Sequence, residues 1–301
     1  MLELKKPRSG RCGAVGLIGR PNVGKSTLLN HLLGQKISIT SHRPQTTRYA
    51  VRGIKTIDDD QLVFVDTPGL HGSQKRELNR YMNRAVQTAV MDVDVIVWLV
   101  DGLRWTEDDD KVAQLLADKQ DQVIMVINKV DQVHPKTRLL EHLEHLAKKF
   151  QTEIIPISAL KGSNTEQLED MIRQRLPDGP HWFDEDTITD QSQRSLAAEF
   201  VREQVMRQLG QEVPYSTTVE TSAFEADKDC LRIGVIIWVE QPGQKGIIIG
   251  KGGKRLKQIG QQARQAMEEC FGQKVFLESW VRVRKGWSDD QSAMQKLGYL
   301  E

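Results

Sequence analysis

The sequence predicts an α/β protein, with a P-loop domain built on a mostly parallel sheet and a smaller α+β domain after it. Three observations lead there. Gly19-Arg20-Pro21-Asn22-Val23-Gly24-Lys25-Ser26 fits the pattern G-x-x-x-x-G-K-[ST], set between an apolar run and a segment of helical spacing. Short apolar runs then alternate with helical stretches as far as residue 176, as expected of strands buried between two helical layers. At Pro177-Asp178-Gly179-Pro180 and the acidic Asp184-Glu185-Asp186 the alternation stops, and a different order of elements follows. The boundaries read as 1–178 for the P-loop domain, 179–191 for a linker and 192–301 for the second domain.

At 301 residues there is room for two domains that each bury a core. The formal net charge of +1 advertises no global affinity for nucleic acid, so any basic surface must be local. Three cysteines, Cys12, Cys230 and Cys270, lie far apart, with no Cys or His at metal-ligand spacing. That argues against a disulfide framework or a zinc module and for a reducing compartment. The N-terminal stretch carries no apolar signal-peptide segment, and no run approaches the length that crosses a bilayer. A soluble, cytoplasmic protein without a stable oligomer is expected.

Ala14-Val15-Gly16-Leu17-Ile18 reads as the first buried strand, and Ser26 to Leu33 as a helix ending at Gly34. Between them, loop N–H groups and the helix N-terminus can cradle phosphate oxygens. Lys25 would reach the β- and γ-phosphates and the Ser26 hydroxyl would ligate Mg²⁺, with Thr27 next along the helix. Ile37 to Arg48 is a polar loop rich in Ser, Thr and Arg. Tyr49 to Ile57 reads as an edge strand and Asp58-Asp59-Asp60 as a turn, before a strand from Leu62 to Val65 delivers Asp66-Thr67-Pro68-Gly69-Leu70. A carboxylate at that strand end can hold Mg²⁺, usually through water. Gly69 lets its N–H approach a γ-phosphate. Glu77 to Val90 reads as a helix, Val93 to Val100 as a central strand and Asp108 to Lys119 as a helix. Val123 to Ile127 is a strand leading to Asn128-Lys129-Val130-Asp131. Asp131 can accept from guanine N1–H and the exocyclic amine, a donor pair that adenine lacks. Asn128 can bond the acceptor edge of the base, and the Lys129 stem can lie against the ring. Ile154 to Ile157 is the last strand, and Ser158 and Ala159 after it are small enough for main-chain approach to the base. Thr165 to Leu176 closes the domain as a helix.

Phosphate loop, Thr loop, D-x-x-G, N-K-x-D and S-A-x stand in the order found in the Ras-like, translation-factor-related GTPases, which the first domain resembles. The resemblance implies GTP/GDP as ligand, Mg²⁺ as cofactor and hydrolysis of GTP to GDP and phosphate. It implies that Thr47, or Thr46 in its place, coordinates Mg²⁺ and senses the γ-phosphate. Lys25, Thr47 and Gly69 are then the catalytic positions, and Ser26, Thr47 and Asp66 lie on the metal side. Leu70 departs from the pattern, because many such GTPases place a Gln there to orient the attacking water. Intrinsic hydrolysis is therefore expected to be slow, with Arg43, Arg48 and Arg76 as candidates for an internal arginine finger. In related GTPases lacking the Gln, an Asn at the position of Asn22 helps bind K⁺ in place of the finger. K⁺ is thus a further candidate cofactor; the alternative is that Asn22 only shapes the loop.

In the second domain Ser192 is placed to cap a helix running to about Leu209. Tyr215 to Phe224 and Leu231 to Glu240 read as strands, Lys254 to Phe271 as a helix and Lys274 to Arg284 as a last strand. Gly250-Lys251-Gly252-Gly253 carries a GXXG pattern, whose glycines allow a tight turn and close approach of a sugar–phosphate backbone. Lys245, Lys251, Lys254, Arg255 and Lys257 concentrate charge around it. Arg282, Arg284 and Lys285 read as a solvated face. Trp238 and Trp280 lie in apolar strands and are expected in the core, which tells against their serving, with Trp287, as stacking platforms. The order helix, two strands, GXXG, helix, strand resembles a type II KH domain. That implies a short helix over Ile247-Ile248-Ile249, although β-branched side chains favour a strand.

Across nearly its whole length the chain resembles the bacterial ribosome-assembly GTPases that join these two domains. The resemblance implies binding of single-stranded small-subunit (16S) ribosomal RNA near its 3′ end. The residues involved would be Ile249, Gly250, Lys251, Gly252, Gly253, Lys254, Arg255 and Lys257. It also implies work on the small ribosomal subunit during its maturation, and peripheral association with the inner membrane. The alternative is a GTPase switch whose second domain docks on protein or membrane partners.

Overall fold

The apolar runs of the first half assemble into one sheet because each is apolar on both faces and needs cover on both. In the computed structural model, which describes residues 10–70, 76–102, 104–210, 212–297 and 299, the chain divides into two compact units. The first takes in residues 10–38, 47–70 and 82–190, and the second residues 39–46, 76–81 and the described residues from 191 onward.

The first half contains β1 (Gly10–Ile18), α1 (Lys25–Leu33), β2 (Val51–Ile57), β3 (Asp60–Asp66), α2 (Glu77–Asp92) and β4 (Val95–Asp101). These are followed by α3 (Glu107–Leu115), β5 (Val123–Asn128), α4 (Thr137–Lys149), β6 (Glu153–Pro156), α5 (Thr165–Arg175) and the two-residue β7 (Asp178–Gly179). The strand order is β2-β3-β1-β4-β5-β6, with β7 paired antiparallel to β1. Only β2 among the six long strands runs antiparallel to its neighbour. Alternate residues of the strands feed two cores. Val15, Leu17, Val97 and Val126 pack with Leu28 of α1 and Leu168 of α5. Ile18, Ile96, Trp98 and Met125 pack on the other face with Val86 of α2, Val112 of α3 and Leu146 of α4. Each such buried side chain contributes about 1.5–3 kcal/mol. The parallel strands all end on one edge, and there they deliver residues 19–26, 66–69, 128–131 and 158–159.

The second unit is built on α6 (Gln193–Gln208), β8 (Thr217–Ala226), β9 (Cys230–Val239), α7 (Pro242–Ile249), α8 (Lys254–Phe271), β10 (Lys274–Val283) and α9 (Gln291–Lys296). Its sheet has the order β10-β9-β8, with β9 antiparallel to β8 and parallel to β10. Phe200 and Val205 of α6, Ile259 and Met267 of α8 and Val235 and Ile237 of β9 share its core. Ser192 caps α6 by accepting from Ser195 N at 3.1 Å.

Ile247-Ile248-Ile249 lies in α7, the short helix the resemblance implies, against its β propensity, because Ile248 is buried in the core and Pro242 and a Gln241–Gln244 capping box start the helix. Three readings change. The helical segment from Asp108 ends at Leu115, and a 3₁₀ turn over Ala117–Gln122 replaces its last residues. Helices α4 and α9 stand where no element was expected. Trp280 is not in the core but 44% exposed, whereas Trp287 is wholly buried and donates from Nε1 to Ser216 O at 3.1 Å.

Candidate functional site

The glycine loop runs from the end of β1 into α1. Its Gly24 has φ 106° and lies so close to Asn128 that a Cβ there would stand 2.3 Å from Asn128 Nδ2. Lys25, at the first turn of α1, is buried, and its Nζ donates to Gly19 O at 3.0 Å and Arg20 O at 3.1 Å. Burial pushes this ammonium down to about 8, with the Asp66 carboxylate acting in the opposite direction. Gly69 brings the end of the D-x-x-G segment against the loop, where a Cβ would stand 2.6 Å from Pro21 N.

Three hydroxyls converge on one carboxylate. Asp66 is fully buried at the end of β3. Its Oδ2 accepts from Ser26 Oγ at 2.6 Å, Ser38 Oγ at 2.8 Å and Thr47 Oγ1 at 3.4 Å, and Ser26 Oγ lies 2.9 Å from Thr47 Oγ1. Asp66 Oδ1 is buried with no hydrogen-bond partner among the described residues. Burial pushes this carboxyl up, while Lys25 and the three hydroxyls pull it down. A group of hard oxygens around an incompletely bonded carboxylate fits Mg²⁺. Ser26, Thr47 and Asp66 are thus brought together as the sequence suggested; Ser38 is an addition that no motif signals. Thr46 is engaged elsewhere, with its hydroxyl donating to Arg43 O at 2.7 Å and lying 2.6 Å from Ser41 Oγ. Thr67 donates to Leu17 O at 2.8 Å and so braces β3 on β1. Leu70 packs at the margin of the core, and Arg48 is fully buried, which leaves Arg43 and Arg76 as the more accessible finger candidates.

At the end of β5, Asn128 has a bracing role that the sequence reading did not include. Its Nδ2 donates to Val23 O at 2.8 Å, and its Oδ1 accepts from Lys129 N at 2.8 Å and Ala159 N at 2.9 Å. Both ends of the amide therefore join protein segments, and the residue braces the phosphate loop and the Ser158-Ala159 loop together. Asp131 Oδ1 accepts from Ser158 Oγ at 2.7 Å, which orients the carboxylate proposed to read guanine. Lys129 Nζ donates to Asn22 O and to Asp101 Oδ2, both at 2.6 Å. Asp101 was not singled out from the sequence, although a carboxylate at the same strand edge was a usable signal. Val130 N donates to Ile157 O at 3.2 Å, and Asn22 is exposed with φ 65°.

In the second unit, α7 and α8 are joined by Gly250-Lys251-Gly252-Gly253, whose glycines have φ of 70°, 59° and 75°. Nothing lies within 4 Å of where a Cβ would stand on Gly252 or Gly253, so the turn presents bare backbone. Lys245, Lys251, Lys254, Arg255 and Lys257 are exposed around it, and Arg255 NH1 donates to Ile247 O at 2.8 Å. Ile249 is half-buried and packs against the core. Among the described residues no helix is long and apolar enough to cross a membrane.

The family model described as 50S ribosome-binding GTPase matches residues 14–129, and the KH domain model matches residues 212–288. Among curated relatives, GTPase Era of Azotobacter vinelandii is 53% identical over 99% of this chain and 100% of its own length. GTPase Era of Vibrio parahaemolyticus is 47% identical over 99% of this chain and 94% of its own. Among solved structures, a variant of Aquifex aeolicus Era bound to GDP and AlF4⁻ has a TM-score of 0.93 at 39% identity, covering 97% of this chain and 100% of that one. Era in complex with MgGDPNP and nucleotides 1506–1542 of 16S ribosomal RNA also has a TM-score of 0.93, at 40% identity and the same coverage.

Proposed function

The chain belongs to the GTPase Era family and is a GTP-hydrolysing enzyme that uses Mg²⁺; from that premise we propose a switch that reads single-stranded 16S ribosomal RNA near its 3′ end and acts in maturation of the small ribosomal subunit. The observation that carries the RNA half is the bare Gly250–Gly253 turn with exposed lysines, in a chain 40% identical to an Era solved with 16S nucleotides. Phosphate charge would be met by Lys251, Lys254, Arg255 and Lys257, and unstacked bases by the apolar surface beside Ile249.

In the first unit, Gly19 to Thr27 hold the phosphates, Lys25 neutralises them, and Asp131 with Ser158 and Ala159 selects guanine. Ser26, Thr47 and Asp66 would hold Mg²⁺, which offsets charge on the phosphoryl oxygens as the bond to the leaving group breaks. Leu70 has no group to orient water, so turnover would be slow, and K⁺ held at Asn22 would supply the charge of a finger.

The nucleotide state reaches the RNA unit through the chain before Thr47. Thr40 N donates to Glu203 at 2.9 Å, Arg207 Nε donates to Thr40 O at 2.9 Å, and Arg202 donates to Thr46 O. Arg202 and Glu203 are almost wholly buried. One peptide bond separates the Thr46 carbonyl from the threonine of the metal cluster, so a γ-phosphate that moves Thr47 biases those contacts.

RNA affinity measured against salt tests the reading. A steep fall with KCl and loss of binding in Lys251→Asp/Gly252→Asp are expected. Indifference to both would move the second unit to protein or membrane docking.

A further inference from the structure

Around residues 20–22 of the phosphate loop, charged groups close a ring in which two carboxylates, Asp101 and Asp109, belong to no nucleotide motif. Arg20 Nε donates to Asp109 Oδ2 at 2.9 Å, its NH2 lies 3.9 Å from Asp101 Oδ2 and donates to Arg104 O at 3.3 Å, and its NH1 donates to Pro21 O at 3.4 Å. Asp101 Oδ2 accepts from Lys129 Nζ, and the same ammonium donates to Asn22 O, each at 2.6 Å. The loop residues therefore hang between two ion pairs. One is anchored on the first turn of α3 and the other on the residue after Asn128.

We propose that Asp109 and Asp101 are positioning residues for nucleotide binding, acting through Arg20 and Lys129 to hold the phosphate loop open. Asn22 sits at φ 65°, in the left-handed region that asparagine tolerates better than most non-glycine residues. Its carbonyl is fixed by Lys129, while the Arg20 guanidinium fixes the carbonyl of Pro21 just before it. With residues 20–22 held in that form, the backbone of the loop is set before any phosphate arrives, which is pre-organisation of an anion site.

Asp109 also has a structural duty. Its Oδ2 accepts from Thr106 N and Thr106 Oγ1, both at 2.9 Å, and so caps α3. That duty does not need a full charge, and a fully buried carboxylate is a costly way to meet it. Its Oδ1 has no partner among the described residues, so Arg20 is the cation that compensates the charge. A cap alone would explain Thr106 and Asp109; it would not explain why the P-loop arginine is the counter-ion.

The inference rests on the reading of residues 19–27 as the nucleotide loop, and a double-mutant cycle on the full chain separates the two. The probe is a fluorescent GDP, with dissociation rate and equilibrium affinity measured for wild type, Arg20→Met, Asp109→Asn and the double variant, alongside melting temperature. Arg20→Met is expected to speed GDP release about tenfold, since it removes a charge-assisted bond and leaves a buried charge unmatched. Asp109→Asn retains an acceptor for Thr106 and should speed release several-fold. The double variant should release GDP no faster than Arg20→Met, and Arg20→Lys should recover most of the affinity. Additive effects on release, or a lowered melting temperature with release unchanged in both single variants, would overturn the proposal. Failure of the wild type to bind the probe would instead strike the nucleotide-loop reading itself.

Discussion

Replacing Asn128 by Ala separates bracing from base reading. The side chain is 2% exposed and makes three hydrogen bonds of 2.8–2.9 Å, to Val23 O, Lys129 N and Ala159 N. Losing the Lys129 N bond costs about 1 kcal/mol, and leaving the buried Val23 carbonyl and Ala159 N–H unmatched costs about 1–3 kcal/mol each. The sum is about 3–7 kcal/mol, a large part of the stability of a unit this size. Part of that cost is relieved when the loops relax in the free protein and is incurred only when nucleotide binds, so it appears as weaker affinity, by about a hundredfold. Because the three bonds lost hold loops together, GDP, IDP and ADP should all weaken together. Thermal melting with competition of the three nucleotides against a fluorescent GDP reads both quantities. Unchanged melting with a collapsed preference for GDP over ADP would refute the bracing role and return Asn128 to the base edge.

Other outcomes follow from neighbouring groups. Asp131→Asn places a donor opposite the exocyclic amine of guanine, so GTP affinity should drop by about two to four orders of magnitude while XTP, which carries a carbonyl oxygen at that position, gains; equal losses for both would refute guanine reading by this carboxylate. For Lys25 the folded pKa of about 8 lies below the free value of 10.5, so between them the unfolded chain binds more protons than the native one. Stability of the nucleotide-free protein should therefore rise by about 1.4 kcal/mol per pH unit through that window relative to Lys25→Met. An unchanged difference from pH 7.5 to 10 would show that the ammonium is not desolvated. GTP turnover in KCl should exceed that in matched NaCl, and Asn22→Ala should remove the difference; equal rates in wild type would sink K⁺ participation.

Much of this was legible because it is periodic or contiguous. β4 and β5 announce themselves as unbroken apolar runs, since a strand covered on both faces needs no polar side. α8 matches its expected span because its apolar residues recur at helical spacing between two glycines. α4 went unread although Leu139, Leu143 and Leu146 are spaced for it; its exposed Leu140 and charged face dilute the pattern. Trp280 was assigned inward by composition, whereas parity decides it, since Val275 and Val281 point to the core and Trp280 to the other face. Sequence motifs located Asn128 but not its partners, because Val23 and Ala159 come from distant stretches that only the sheet brings together. Asp109 lies in an acidic helix start like many others, and nothing local marks it as the counter-ion of a loop almost ninety positions earlier.

The central claim, a GTPase whose second unit holds small-subunit RNA, is tested most directly by crosslinking in cells followed by sequencing of the recovered RNA. Wild type and Lys251→Asp/Gly252→Asp are compared at equal expression and with the fold verified. The expected result is a peak at the 3′ end of 16S ribosomal RNA that disappears in the variant. Absence of enriched RNA in wild type, or a peak that survives the two substitutions, would contradict it.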